Sequence, residues 1–152
     1  MNRLSIRKAK TSDSKTVYKL SQEPLVRNTS FKKKKFSFSE HNVWYMKKIL
    51  SSNSHIWLLN KRSTVYGMVR FDIERKNFVL SYAIFKRFRG QGYGKLILIK
   101  GINKINKIYI RPKIIAVTKK NNIVSQKCLI SANFKLKSAK KNKLIYYFKN
   151  IK

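Results

Sequence analysis

Three of the five glycines in this 152-residue chain fall within five positions, Gly90, Gly92 and Gly94, inside RFRGQGYGKLILIK (Arg87 to Lys100). A β-rich run, NFVLSYAIF, precedes them, and an apolar run of helical length, Leu96 to Ile105, follows. A strand that turns through glycines straight into a helix aims backbone N–H groups and the positive helix end at one point, where an anion is stabilised. Glycine also admits positive φ and leaves no Cβ between the backbone and an approaching phosphate. The segment therefore reads as a phosphate cradle, or as a tight strand-to-helix turn with no ligand. It lacks the GxxxxGK[ST] spacing of a Walker loop, and no acidic residue follows it as a dinucleotide fingerprint requires.

The remaining chain sets this turn in a mixed fold. Leu4 and Ile6 alternate with polar neighbours as a first strand, and TSDSKTVYKLSQE reads as a helix capped by Ser12 or Asp13 and ended by Pro24. PLVRNTSFKKKKFSF has no helical periodicity and is expected to be an irregular basic loop. SFSEHNVWYMKKIL resumes the helical pattern, with Ser39 as cap and Val43, Met46, Ile49 and Leu50 on one side. HIWLLNK, TVYGMVRFDIE and NFVLSYAIF form a meander of strands, KIIAVT another strand, NNIVSQKCLISAN a helix, and NFKLKSA and KLIYYFKN two closing strands. The expected class is α/β of the α+β kind. It has a mainly antiparallel sheet of about seven strands flanked by about four helices, in one domain over residues 1–152.

Composition narrows the setting. No stretch approaches the roughly 18 uncharged apolar residues of a membrane span, and MNRLSIRKAK has no apolar leader core, so a cytoplasmic protein is expected. Cys128 is the one cysteine, and no Cys/His cluster has zinc-ligand spacing, so no disulfide and no metal are expected. The formal net charge is +32, and all five carboxylates, Asp13, Glu23, Glu40, Asp72 and Glu74, precede Arg75. Such a field attracts nucleic acid, acidic membrane surfaces, or phosphate-bearing small molecules, and compositional drift would produce the same excess.

Arg89-Gly90-Gln91-Gly92-Tyr93-Gly94 resembles the R/Q-x-x-G-x-G/A signature of the GNAT acetyltransferase superfamily, at the head of the third helix where that family has it. Asn122-Ile-Val-Ser125, followed by Asn133-Phe134, resembles the family's N-x-x-S helix ending in Gly-Phe. The resemblance implies acetyl-CoA as donor. Its pyrophosphate would sit on the amides of Arg89, Gly90, Gln91, Gly92, Tyr93 and Gly94, with Lys95 nearby. The pantetheine arm would pair with the splayed edge of the fourth strand at Ala83 and Ile84, and Asn122 and Ser125 would touch that arm or serve as cap and surface residue.

A narrower likeness lies upstream. RNTSF from Arg27, EHNVW from Glu40, GMVRFD from Gly67 and LSYAI from Leu80 resemble a GNAT branch that acetylates amino groups on nucleotide-linked sugars, in pseudaminic- and legionaminic-acid-type pathways. On this likeness Arg27, Ser30, Trp44 and Arg70 would bind the acceptor, the arginines meeting its phosphates. A base is still required. His41 suits that role at neutral pH, or it contacts the acceptor, or it packs against Trp44. The family's thiolate-protonating tyrosine position is Leu129 here, which leaves Tyr82 or solvent as proton donor. Acylation of ribosomal-protein N-termini is an alternative acceptor reading. A basic nucleic-acid-binding protein on a non-catalytic GNAT scaffold is the alternative of another class, and a homodimer is among the assemblies the chain allows.

Overall fold

A computed structural model describes residues 4–150 of the chain. The elements run β1 (Ser5–Lys8), α1 (Ser14–Gln22), α2 (Pro24–Thr29), α3 (Phe38–Leu50), β2 (Ser54–Lys61), β3 (Thr64–Glu74), β4 (Asn77–Ile84), α4 (Tyr93–Ile108), β5 (Lys113–Lys119), α5 (Ile123–Ser131), β6 (Phe134–Lys140) and β7 (Lys143–Phe148). Seven strands form one sheet in the order β1-β2-β3-β4-β5-β7-β6, antiparallel throughout except for β4 beside β5. This is the mixed, mainly antiparallel sheet expected.

Helices cover both faces, which explains why β2 reads as the uninterrupted apolar run IWLL. Ile56 and Leu58 are buried with Val17 of α1 and Tyr45 of α3. Trp57 and Leu59 point to the opposite face, into the main core with Val69, Phe71 and Leu80. That core is closed by Ile97, Leu98, Ile102 and Ile105 of α4, spaced one face of a helix apart.

Several boundaries differ from the sequence reading. The helices number five because Pro24–Thr29 is helical: Pro24 does not merely end α1 but occupies the first turn of α2, where its missing N–H costs nothing. No residue of α2 is fully buried, so it leaves no apolar period to read. The cap of α3 is Ser37 rather than Ser39: its Oγ accepts from the Glu40 N–H (3.2 Å) while the Glu40 carboxylate accepts from the Ser37 N–H (2.7 Å). α4 begins at Tyr93, directly on the glycines, not at Leu96. Asn133, which stands where the family pattern has glycine, takes φ 69°, the left-handed conformation asparagine tolerates.

Candidate active site

The site originates in a parting of the sheet. β4 and β5 pair only from Asn77–Lys113 to Leu80–Ala116. Beyond that point β4 runs on to Ile84 bonded to β3 alone, and β5 runs on to Lys119 bonded to β7 alone. The gap opens into a cleft of about 650 Å³ floored by Ser81, Tyr82 and Ala83 on one strand and Ala116, Val117 and Thr118 on the other. Strand alternation sends neighbouring side chains to opposite faces. Ser81 and Ala83 lie opposite Arg70 and Met68, on the side of α1–α3, whereas Tyr82 lies opposite Val69, on the side of α4 and α5.

At the head of α4, Gly90 and Gly92 have φ of 75° and 81°, and a Cβ on either would meet nothing within 4 Å. Conformation, not crowding, requires glycine at both. Gly94 differs: its φ is helical, and a Cβ there would come within 2.9 Å of Cys128 Sγ. The first helical bond runs from the Leu96 N–H to the Gly92 carbonyl (3.1 Å), so the N–H groups of Tyr93, Gly94 and Lys95 precede the i→i−4 ladder. An open, glycine-lined helix N-terminus of this kind fits a pyrophosphate. Arg89 is not part of that surface. Its N–H donates to the Lys86 carbonyl (3.2 Å), its Nε to the Ile84 carbonyl (2.9 Å), and its Nη2 pairs with the Glu23 carboxylate. The same bond occupies the carbonyl of Ile84, which is itself buried, while Ala83 remains on the cleft.

On the α5 side the Tyr82 hydroxyl donates to Ser125 Oγ (3.4 Å), and burial pushes its pKa well above the usual phenol range. Asn122 is the N-cap of α5, its side chain accepting from the Ser125 N–H (3.3 Å), and both residues line the cleft. Leu129 is 1% exposed and belongs to the main core. Cys128, half-buried, lies against Tyr82 and Gly94, and burial raises its thiol pKa.

On the other side His41 is buried among Tyr18, Phe36, Trp44 and Tyr45, with ring centres 5.3 to 6.0 Å away. Burial holds its pKa below the ordinary imidazole value. Among the described residues, four buried side-chain nitrogen and oxygen atoms lack a hydrogen-bond partner: His41 Nδ1 and Nε2, Ser81 Oγ and Thr118 Oγ1. All belong to residues on this cleft. Each such atom costs about 1–3 kcal/mol when left unpaired; His41 and Ser81 lie on the α1–α3 side of the sheet, and Thr118, in register with Ala116, lies on the side of α4 and α5.

A model of the acetyltransferase (GNAT) domain family matches residues 3–135. The chain belongs to the GNAT acetyltransferases. Its fold is similar to that of a spermidine N-acetyltransferase from Vibrio cholerae solved with CoA and spermine (14% identity, TM-score 0.82, covering 97% of this chain and 94% of that one). It is likewise similar to yncA, a putative acetyltransferase from Salmonella typhimurium solved with acetyl-CoA (15%, 0.80, 96% and 92%), and to RimL, a ribosomal L7/L12 alpha-N-protein acetyltransferase solved with coenzyme A (16%, 0.82, 97% and 93%). No curated protein matches the chain.

Within this GNAT frame the four acceptor residues read from the sequence separate. Trp44 and Arg70 line the cleft side by side, the guanidinium 5.0 Å over the indole. Arg27 also borders the cleft, but its Nη2 donates to the Lys32 and Lys34 carbonyls (2.7 and 3.0 Å) and its guanidinium lies over Phe36. It holds the basic loop in shape. Ser30 Oγ donates to the Val26 carbonyl (2.7 Å) and closes α2. Tyr45 and Phe71 are core residues. Ser81 and Thr118 escaped the sequence reading, since nothing local marks a strand serine or threonine as unpaired. Among the described residues no helix is long and apolar enough to cross a membrane, and no three His, Cys, Asp or Glu side chains converge as metal ligands.

Proposed function

We propose that this GNAT enzyme is an acetyl-CoA-dependent N-acetyltransferase whose acceptor is a primary amine carried by an anionic small molecule, a nucleotide-linked amino sugar. The cleft through the β4–β5 parting is the observation that carries this reading, because it connects the glycine-headed face of the sheet to the face holding His41. The open positions over Gly90 and Gly92 and the free amides of Tyr93, Gly94 and Lys95 fit the donor's pyrophosphate, and the edge of β4 at Tyr82 and Ala83 fits its amide-bearing arm beside Asn122 and Ser125. When bound, the donor supplies an acetyl thioester.

The chain's own groups divide the proton work between the two faces. His41, neutral at pH 7 and with both nitrogens unpaired, takes the proton that the acceptor's ammonium must lose. The surrounding cations disfavour a second positive charge and so favour the neutral amine. Tyr82 keeps its proton at neutral pH and can give it to the departing sulfur, a task for which Leu129 has no group. Arg27, Lys32, Lys34, Lys35 and Arg70 border the cleft against the single carboxylate of Glu40. A polyamine is therefore a poor fit, although one structural relative acts on spermidine.

The test is CoA-thiol release from acetyl-CoA with a UDP-linked 4-amino-4,6-dideoxy sugar, with spermidine, and with a peptide bearing an acidic N-terminal sequence. Turnover with the sugar, reduced in His41→Ala, supports the reading. Preference for spermidine would overturn the charge argument, and preference for the peptide would move the acceptor to protein N-termini.

A further inference from the structure

Asp72 is buried and accepts through both oxygens: Oδ2 from Arg70 Nε, and Oδ1 from Lys48 Nζ and Ser54 Oγ, all at 2.8 Å. One carboxylate thus answers two cations, and a net positive charge remains. Burial alone would raise its pKa, but the charge of Arg70, the hydrogen bonds from Lys48 and Ser54, and the charge of Lys48 hold it below the usual carboxylate range. The consequence for Arg70 is geometric. Its Nε is engaged, its flat face is covered by Trp44 at 5.0 Å, and neither Nη makes a hydrogen bond among the described residues. A guanidinium held by its inner nitrogen and one face presents its outer edge, the edge that binds two oxygens of a carboxylate or phosphate at once.

Directly across the β3–β4 pair from Arg70 stands Ser81, whose buried Oγ has no partner. Trp44 also touches the His41 ring, with centres 5.3 Å apart. The imidazole and the guanidinium therefore flank one indole.

We infer that Arg70 and Ser81 form an anion-binding subsite for the acceptor, with Asp72 and Trp44 as positioning residues, and that the acceptor carries a carboxylate or phosphate about one ring's breadth from the amine that is acetylated. The amine location rests on the proposed role of His41; the anion location does not. A nucleotide-linked amino sugar meets this requirement through the phosphate on its ring. An amine with no nearby anion does not.

The experiment is calorimetric titration of UDP and of malonate into the protein preloaded with coenzyme A at roughly physiological ionic strength, where diffuse binding to the overall field is screened. Saturable binding is expected, weakened at least tenfold in Arg70→Gln and severalfold in Ser81→Ala. Arg70→Lys, which retains the charge without the fork, should fall between. Lys137→Gln, on the remote edge strand β6, should leave it within twofold. UDP preferred over malonate identifies the group as phosphate, and the reverse as carboxylate. Equal weakening by Arg70→Gln and Lys137→Gln, or no saturable binding of either anion, overturns the subsite. Arg70-dependent anion binding in protein that does not take up coenzyme A would support the subsite and overturn the donor assignment.

Discussion

The carboxylate of Glu23 accepts from the Arg89 guanidinium and, through both oxygens, from the Lys86 N–H at 3.0 and 2.9 Å. Glu23 is the residue between α1 and α2, and Arg89 opens the glycine segment. One ion pair therefore fastens the α1–α2 corner to the glycine segment. The other carboxylates are similarly committed: Asp13 holds both Nη atoms of Arg7 at 2.8 Å, Asp72 holds Arg70 and Lys48, and Glu40 caps α3. Glu40 and Glu74 are exposed and without an ion-pair partner among the described residues, so only Asp13, Glu23 and Asp72 neutralise any of the chain's cations directly.

Glu23→Gln preserves an acceptor for the Lys86 N–H but removes the charge that holds Arg89. Charge-assisted hydrogen bonds contribute about 1.5–3 kcal/mol, so coenzyme A affinity should weaken roughly tenfold through a loosened glycine segment. Calorimetry with coenzyme A measures this, and an unchanged affinity would show that Arg89 does not shape the loop.

Gly92 and Gly94 should fail in different ways. Gly92→Ala places a Cβ in open space at a left-handed φ, costing about 1–2 kcal/mol of backbone energy and obstructing the donor's phosphates. Its melting temperature should fall slightly and its coenzyme A affinity greatly. Gly94→Ala collides with the Cys128 thiol, so its loss should be in stability and should be relieved in Cys128→Ala. A Gly94→Ala variant that is not rescued would place the strain elsewhere.

Burial holds His41 below the usual imidazole range, and burial with the charge of Lys8 does the same to His55. Each ring binds its proton more weakly folded than unfolded. The stability they contribute is complete above the unfolded value near 6.5 and is lost as pH falls through the lower folded values, by up to about 1.4 kcal/mol per pH unit for each ring. Thermal melts between pH 8 and 4 should show this decline, shallower in His41→Phe. If His41 is the base, the acid limb of kcat/KM lies below pH 6.5 in the wild type and vanishes in His41→Ala.

Tyr82→Phe removes the hydroxyl and leaves the ring. If Tyr82 protonates the leaving sulfur, kcat should fall about 100-fold with little change in either KM. Leu129→Tyr does not restore a proton donor cheaply, because Leu129 is enclosed in the core; overpacking there should cost about 1–3 kcal/mol, visible as a lower urea midpoint.

What the sequence alone determined was local or periodic. The strand-glycine-helix order, the two-faced apolar run of β2, the α4 stripe and the Asn122 cap each follow from residues within one turn or one strand of each other. Glycine density at 90–94 announced the loop because positive φ is a property of single residues. The tertiary structure decided the rest: that β4 and β5 part after Leu80 and Ala116, that Arg27 is consumed by its own loop while Arg70 keeps a free edge, and that His41 and Ser81 are left unpaired on one side of the sheet and Thr118 on the other. Whether a side chain is satisfied or available depends on partners brought from distant segments. Arg27 and Arg70, alike as sequence signals, become opposites only when the chain folds.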